Sequence, residues 1–556
     1  MLNYLYVGSF FLFLRLISSL SGIFVFIKRI CFCIEWDFFF SFINFNILIF
    51  LDFYFFFFLS IVRLIRSGVI FYRIYYIDGG KINNRFLFLL VIFIISIIFL
   101  IISPNLIRIF LGWDGLGLIS YLLVNFYITN ESLNSGILTV LSNRLGDIFL
   151  LIRIFFALSI GTIRFLLWDK FNIYIFIFFL LARFTKSAQL PFSRWLPFAI
   201  AAPTPVSSLV HSSTLVTAGV FLIFRIFDLI RSINLYIIFS RGIITILVSG
   251  ICGIFESDLK KVIALSTLSQ LGLIMVILGA GLKNFCFFHL VIHALFKSRL
   301  FIGIGVKIHE FSNFQDSRKL GLNWKNPIID FLFGVTNLAL VGFPFLSGFF
   351  SKDTSLEFII SRNTNFLIKF IFIFSVILTI GYRIKFIILR RLKFSRFNYL
   401  ITHNNFTNKI VFLSLIILLS LSIIFGYIYC YIFFDYFIVI DLEVFIKFLI
   451  VICIYYLYLY IYIQIYKKNY YNNKILRFFS FLFFLRELTR INKIIINKYV
   501  YILKYLDLGW LEYRGGIFGK RKIFYIFFFL EFKLLINLFI YFFFILIFII
   551  FLYFYY

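Results

Sequence analysis

Cysteine, proline, methionine and acidic side chains are all scarce in this chain, and most of these scarcities remove a class of function. The six cysteines are scattered, with only Cys31 and Cys33 near neighbours, so neither a disulfide framework nor a four-cysteine iron–sulfur set can be assembled. No GxGxxG follows a strand pattern and no GxxxxGK(S/T) occurs. The glycines of GWDGLG lie in an apolar run and GGIFGK has the wrong spacing, which argues against nucleotide binding. An Arg-rich, Ser-rich amphipathic presequence is also missing. Residues 5–27 are too long and too weakly flanked for a cleaved signal, so the first helix is expected to stay. Asp and Glu number 23 against 53 Lys and Arg, a formal net charge of +30. In a soluble protein that excess would point to nucleic acid. Here the basic residues fall largely in loops, at helix ends and towards the C-terminus, so no nucleic acid is expected and an anionic phospholipid such as cardiolipin is the expected partner.

What the chain does have is apolar length. Of its 556 residues, 63% are hydrophobic and only 14% charged, and mean hydropathy is +1.06. A helical span needs roughly 20 apolar residues, and about fifteen or sixteen such runs can be read. Examples are 5–27, 86–103, 236–254, 408–432 and 535–555. Unbroken apolarity, as in LFLLVIFIISIIFLII, excludes the alternation of a membrane barrel. The fold class is therefore all-α, a polytopic integral membrane protein. Residues 1–100 read as N-terminal transmembrane helices, and Gly, Pro, Ser and Thr rise from about 101 to 360. Residues 361–466 return to plain apolar spans, 467–534 turn basic, and 535–556 hold a last span. In the basic part, INKIIINKYVYILKYL spaces lysines beside Ile and Leu at near-helical intervals, which fits a lateral amphipathic helix; a solvated loop with one short helix is the alternative.

Chemistry concentrates where proline does. Pro191, Pro197, Pro203 and Pro205, four of the seven prolines, fall within TKSAQLPFSRWLPFAIAAPTPVSSLVHSSTLVTAG, which also carries Lys186 and His211. A lysine in a membrane costs about 2.5 to 3.5 kcal/mol even on the lenient insertion scale, so it persists mainly where it faces protein or a wet path. Asp114, in LGWDGLGLISYLL, is a lone carboxylate, and with Lys186 it makes the first candidate gate. Burial raises a carboxylate's pKa and lowers a lysine's, and bringing the two together reverses both shifts. A fixed salt bridge between helices is the static alternative. Arg144 and Asp147 in NRLGD are three apart and can pair locally. His289, His293 and Lys297 recur every four residues in HLVIHALFKSRLF and share one helix face. His-x-x-x-His is also metal spacing, but the lysine one turn on and the lack of acid in the run favour a hydrated proton wire. His309 can extend it. Lys352 and Asp353, after GFPFLSGFF, can form an exit to bulk water or an interfacial cap. Asp258, Lys260 and Lys261 open a helix, and Ser266, Thr267, Ser269 and Gln270 follow inside the membrane, able to hold water or cross-helix hydrogen bonds. Two proline-adjacent lysines, Lys186 and Lys352, hint at a plan used twice.

Taken together, GWDGLGLISYLL, NRLGD, TKSAQLPF with WLP, APTPVSSLVHSSTLVTAG, DLKKVIALSTLSQLG, HALFK and GFPFLSGFFSKD resemble the chain 5 family of mitochondrial NADH-ubiquinone oxidoreductase, respiratory complex I, in wording similar to arthropod versions. The resemblance runs over about residues 35–360, with a weaker likeness in DLGWLEY. It implies a multi-pass, proton-translocating subunit of the mitochondrial inner membrane, with two inverted five-helix antiporter-like repeats and a lateral helix clasping neighbouring subunits. The half-channels would be residues 101–235 and 236–360. By position, Asp114 matches the acidic partner of the first half-channel, Lys186 its lysine, His211 the histidine between halves, Lys297 the central lysine, and Lys352 with Asp353 the output side. The implied partners are other membrane-arm and accessory subunits. The chain would hold no cofactor, with NADH, FMN, iron–sulfur clusters and ubiquinone belonging to other subunits. A stand-alone cation/proton antiporter and a static scaffold are the rival readings. One departure is Phe198, where the family often carries an acid after WLP.

Two oddities remain. Only 2 residues are Met, and Arg66, Arg73, Arg194, Arg299 and Arg383 stand where the resemblance leads one to expect small residues, often Ser. Invertebrate mitochondria read AUA as Met and AGA as Ser. A translation that ignored this would produce both oddities and inflate the net charge, so several of these arginines are expected to be serines.

Overall fold

The computed structural model describes residues 2–40, 43–76, 81–103, 105–159, 173–229, 232–310, 314–317, 327–343, 346–361, 366–392 and 405–433, with a few positions from 456 to 533. The chain divides into two units, Met1–Phe483 and Phe484–Tyr556. All the elements below belong to the first unit. The expected lateral helix at 467–534 lies outside the described residues apart from isolated positions, and the last span at 535–556 lies wholly outside them.

Helices make nearly all of the first unit. They are α1 (Leu2–Lys28), α2 (Phe53–Tyr76), α3 (Lys81–Ile102), α4 (Leu106–Val124), α5 (Asn130–Ser159), α6 (Ile173–Lys186), the short α7 (Trp195–Phe198) and α8 (Thr204–Val206), α9 (Leu215–Arg225), α10 (Ser232–Phe255), α11 (Leu259–Gly279), α12 (Lys283–Glu310), α13 (Pro327–Val341), α14 (Thr354–Ser361), α15 (Phe366–Leu392) and α16 (Asn405–Phe433). Among the described residues, nine helical segments are long and apolar enough to cross a membrane. The backbone explains the choice of element, because in hydrocarbon every N–H and C=O must be satisfied within its own segment.

The N-terminal region departs from the all-helix expectation. Phe32–Phe40 (β1) and Ile43–Leu51 (β2) pair antiparallel, with Phe32 opposite Leu51 and Phe40 opposite Ile43. Aromatic and β-branched residues fit a pleated surface, and each run is only nine residues long, well short of a helical span. Asp52 closes the hairpin. Its Oδ1 accepts the Phe55 backbone N–H at 2.9 Å, capping α2, and both carboxylate oxygens take the Arg225 guanidinium, at 2.6 and 2.8 Å.

Burial ranks the helices. α11 and α12 are enclosed almost along their whole length, with every residue from Cys286 to Ile308 buried. An aromatic seam links α12 to its neighbours: Phe288 stacks on Tyr429 of α16 at 4.5 Å, and Phe287 meets Phe224 of α9 and Tyr54 of α2 at 5.2 and 5.0 Å. By contrast, α5 exposes Ile137, Leu141, Leu145, Ile148, Leu151 and Phe155, an apolar stripe at helical spacing that suits lipid or a neighbouring protein. The polar residues of the central helices are thereby kept from the outside.

Asp52 carries both a cap and an ion pair, so Asp52→Ala is expected to destabilise the protein by about 1 kcal/mol more than Asp52→Asn, which can keep the cap. Both variants are expected to fall below the native protein, by roughly 3 kcal/mol for the partly buried pair. Thermal unfolding of the purified protein checks the order.

Candidate functional site

In the first group of charges, α4, α5 and the end of α6 meet. Lys186, 1% exposed, is the last residue of α6, where the chain leaves the helix through Ala188 at φ 54°. The break is tied down locally: Gln189 N–H donates to the Phe184 carbonyl at 3.0 Å, and the Trp195 indole donates to the Thr185 carbonyl at 2.8 Å. Lys186 Nζ donates to the Trp113 carbonyl at 3.4 Å and lies 5.0 Å from the centre of the Trp113 ring. The indole N–H of the same Trp113 donates to Asp147 Oδ1 at 2.9 Å. Arg144 then lies 3.3 Å from Asp147 and 3.3 Å from Asp114. The order is Lys186, Trp113, Asp147, Arg144, Asp114.

That order corrects the expected gate. Asp114 is not a lone carboxylate paired with Lys186, because Arg144 reaches from α5 to α4 and takes it. The guanidinium is a delocalised fork able to serve two carboxylates at once, whereas the lysine's stem ends on a carbonyl. Asp147, 5% exposed, is linked to Lys186 through Trp113, which donates its indole N–H to Asp147 and takes Lys186 on its carbonyl. The spacing of NRLGD showed the Arg144–Asp147 pair but not that Asp147 would stand between Arg144 and Lys186.

The second group surrounds α12. Lys297, fully buried, donates to the Ser266 hydroxyl of α11 at 2.5 Å. His289 is held on both ring nitrogens, by Gln270 of α11 at 3.2 Å and by Ser351 at 3.0 Å. His293 lies between them on the helix, 1% exposed, with neither ring nitrogen hydrogen-bonded among the described residues. Ser351 belongs to a π-helical turn, Phe349–Asp353, that precedes α14 and contains Lys352 and Asp353. Lys352, 1% exposed, donates to the Val341 carbonyl at 3.2 Å, at the very end of α13. Next to it Gly342 has φ +100°, and a Cβ there would lie 3.0 Å from Asp353 Oδ1, so the turn requires glycine on two counts. Of the polar residues following Lys261, Ser266, Ser269 and Gln270 form cross-helix bonds, with Ser269 reaching Tyr382 of α15 at 2.8 Å, while Thr267 bonds the Ala264 carbonyl of its own helix.

Other expected residues are placed as follows. His211 sits in a second π-helical stretch, Ser207–Thr214, which packs against α12 and α9; its side chain lies outside the described residues. Such π segments recur at functional sites, and the Ser-rich, proline-flanked sequence gave no direct sign of one. Among the described residues, the direct contacts fall into two groups, one around Lys186 and one around α12. His309 packs on Tyr75 and Tyr76 at 5.0 and 5.9 Å. Asp258 precedes α11 but makes no side-chain cap, pairing with Lys261 at 2.5 Å instead. A buried ion pair that the sequence reading missed joins Lys307 of α12 to Asp330 of α13.

Gly117→Ala is expected to displace the Lys186 ammonium, because the new methyl carbon would stand 3.3 Å from Nζ and 3.7 Å from Asn143. A structure of the variant should show Nζ off the Trp113 carbonyl with α4 unmoved.

With this geometry in hand, known proteins can be set beside it. Residues 103–379 match the family described as NADH:quinone oxidoreductase/Mrp antiporter, TM. NADH-ubiquinone oxidoreductase chain 5 of Locusta migratoria is 45% identical over 334 residues, 58% of this chain and 58% of that one. Its counterpart in Anopheles arabiensis is 45% identical over 317 residues, 55% of this chain and 82% of that one. The match thus spans about three fifths of the length of the locust relative. Among solved structures, the Mrp complex from Dietzia sp. superposes with a TM-score of 0.70 at 20% identity, covering 88% of this chain and 56% of that one. The membrane-bound sulfane sulfur reductase, an archaeal respiratory membrane complex, gives 0.66 at 17%, covering 76% and 90%. These two show the fold. The chain belongs to the NADH-ubiquinone oxidoreductase chain 5 family and is a multi-pass protein of the mitochondrial inner membrane.

Proposed function

We propose that this chain is a proton-translocating membrane-arm subunit of respiratory complex I. It works beside other antiporter-like and accessory subunits and an anionic phospholipid such as cardiolipin, while NADH oxidation and ubiquinone reduction take place elsewhere in the assembly. No redox group is needed in this chain. The observation that carries the reading is that Lys186, Lys297 and Lys352 are all buried and each donates to a neutral oxygen, at Trp113, Ser266 and Val341 respectively. A lysine locked to a carboxylate would be a fixed strut. A lysine held by a carbonyl or hydroxyl can release its proton without stranding a bare carboxylate, so its charge state can change during work.

The energy scale is suitable. Moving one charge against 100 mV requires about 2.3 kcal/mol. One pKa unit is about 1.36 kcal/mol, so a swing of about three units on a lysine suffices against a typical potential. Separation from a carboxylate produces swings of that order, and Asp147 and Asp353 are placed to provide it. In this reading His293, with both ring nitrogens open, passes the proton between Lys297 and His289, and His289 hands on through Ser351 towards Lys352 and Asp353. The first group, from Asp114 to Lys186, loads from the other side, with His211 between.

Lys297→Ala, in complex I reconstituted into vesicles, is expected to reduce protons moved per electron to well under half while NADH oxidation in uncoupled vesicles continues. Quenching of a pH-sensitive dye against the NADH rate reads the ratio. An unchanged ratio would leave the subunit as scaffold, and cation-for-proton exchange by the chain without NADH would establish the antiporter reading. Lys186→Ala is expected to act in the same direction, and Lys307→Ala to lower thermal stability, because Lys307 is paired with Asp330.

A further inference from the structure

Three arginines in the bundle lack hydrogen-bond partners among the described residues. Arg66 of α2, Arg183 of α6 and Arg383 of α15 are exposed by 0, 0 and 2%, and none of their Nε, Nη1 or Nη2 atoms has a hydrogen-bond partner among the described residues. Arg66 and Arg383 were already singled out in the sequence, whereas Arg183 is marked by the structure alone. A guanidinium cannot shed its charge, and buried polar groups are almost always hydrogen-bonded. The aromatic contacts available do not compensate: Arg66 lies 5.2 Å from the Phe11 ring centre and Arg383 5.6 Å from that of Tyr382. Arg183 Cζ is 3.2 Å from the Phe179 ring centre, but Arg153 Cζ lies at the same distance from the same ring, so one aromatic ring is shared by two cations of like charge. Arg225 and Arg144, by contrast, are paired with carboxylates. Arg73 and Arg299 are intermediate, each with one hydrogen bond, to the Tyr4 hydroxyl and the Leu332 carbonyl.

A small hydroxyl residue would remove every one of these conflicts. Helical serines in this protein satisfy themselves on the preceding turn, as Ser67, beside Arg66, does on the Leu64 carbonyl at 2.7 Å. The same change of reading that turns arginine into serine also accounts for a second fact, that an apolar chain of 556 residues has only 2 Met. We propose that positions 66, 183 and 383 carry serine in the protein as translated, by a mitochondrial genetic code in which AGA specifies serine, and that several isoleucines are methionine through AUA. The paired Arg144 and Arg225 remain arginine.

Position 383 gives this a functional edge, because it follows Tyr382, whose hydroxyl bonds Ser269 of α11, the helix whose Ser266 takes Lys297 and whose Gln270 takes His289. A permanent cation beside that helix would add a fixed charge to a seam built from neutral groups. A serine instead adds a neutral hydroxyl beside the Tyr382–Ser269 bond and leaves Lys297 free to alternate. This consequence rests on the proton-translocating reading, whereas the residue assignment does not.

The test is peptide mass spectrometry on the protein purified from its source, digested separately with trypsin and chymotrypsin, alongside the codons of the gene. Serine masses across positions 66, 183 and 383, no tryptic cleavage after them, cleavage after Arg144 and Arg225, and AGA set apart from CGN codons on that same division are the expected result. Arginine masses and cleavage at the three positions would overturn the assignment, as would one codon type shared by orphaned and paired positions. Neither readout depends on pumping.

Discussion

An ammonium group enclosed by apolar helices must be met by oxygen, and the arrangement of this bundle follows from how that need is answered three times. Lys186, Lys297 and Lys352 each find one neutral oxygen rather than a carboxylate, and for Lys186 the acid Asp147 stands one contact further away, on the Trp113 indole. A direct ion pair would hold each lysine permanently charged, and removing one partner would leave a stranded ion. Neutral dipoles offer a weaker hold, which is what a group that must gain and lose a proton requires.

Regular helices cannot supply such oxygens freely, because their carbonyls are already engaged four residues on. The bundle obtains one from a helix end at Val341, one from the Ser266 hydroxyl, and one by sharing the Trp113 carbonyl within α4. Val341 offers a terminal carbonyl because α13 ends there and Gly342 turns the chain at φ +100°. Lys186 sits where α6 gives way at Ala188, and both Lys352 and Ser351 lie within a π-helical turn. Hydroxyls and amides on α11 serve the same end for α12. Ser266 takes Lys297 and Gln270 takes His289, so two of the most enclosed helices in the fold are joined by a polar seam.

The rest of the molecule holds that seam in register. The Asp52–Arg225 pair and the aromatic stack from Tyr54 to Tyr429 tie α2, α9, α12 and α16 together, and the apolar stripes of α1 and α5 face outwards. Within such a frame, Arg66, Arg183 and Arg383, whose guanidinium nitrogens find no hydrogen-bond partner among the described residues, fit poorly, and the proposed serines would fit well.

Apolar length and unbroken hydrophobic runs were enough to determine an all-α membrane protein, because backbone satisfaction in lipid leaves few other solutions. The scarcity of charge made each interior charge conspicuous: Lys186, His289, His293, Lys297 and Lys352 are visible in the sequence for that reason, and a four-residue period puts the α12 set on one face. Partner choice was decided only in three dimensions. Whether Asp114 meets Lys186 or Arg144 depends on how α4, α5 and α6 pack, and no spacing within one segment encodes the reach of an arginine from one helix to the next. The hairpin at 32–51 and the π turns were hidden for a related reason. Aromatic-rich apolar sequence suits strand and helix alike, and an extra residue in a helical turn is selected by the neighbours that receive its side chains.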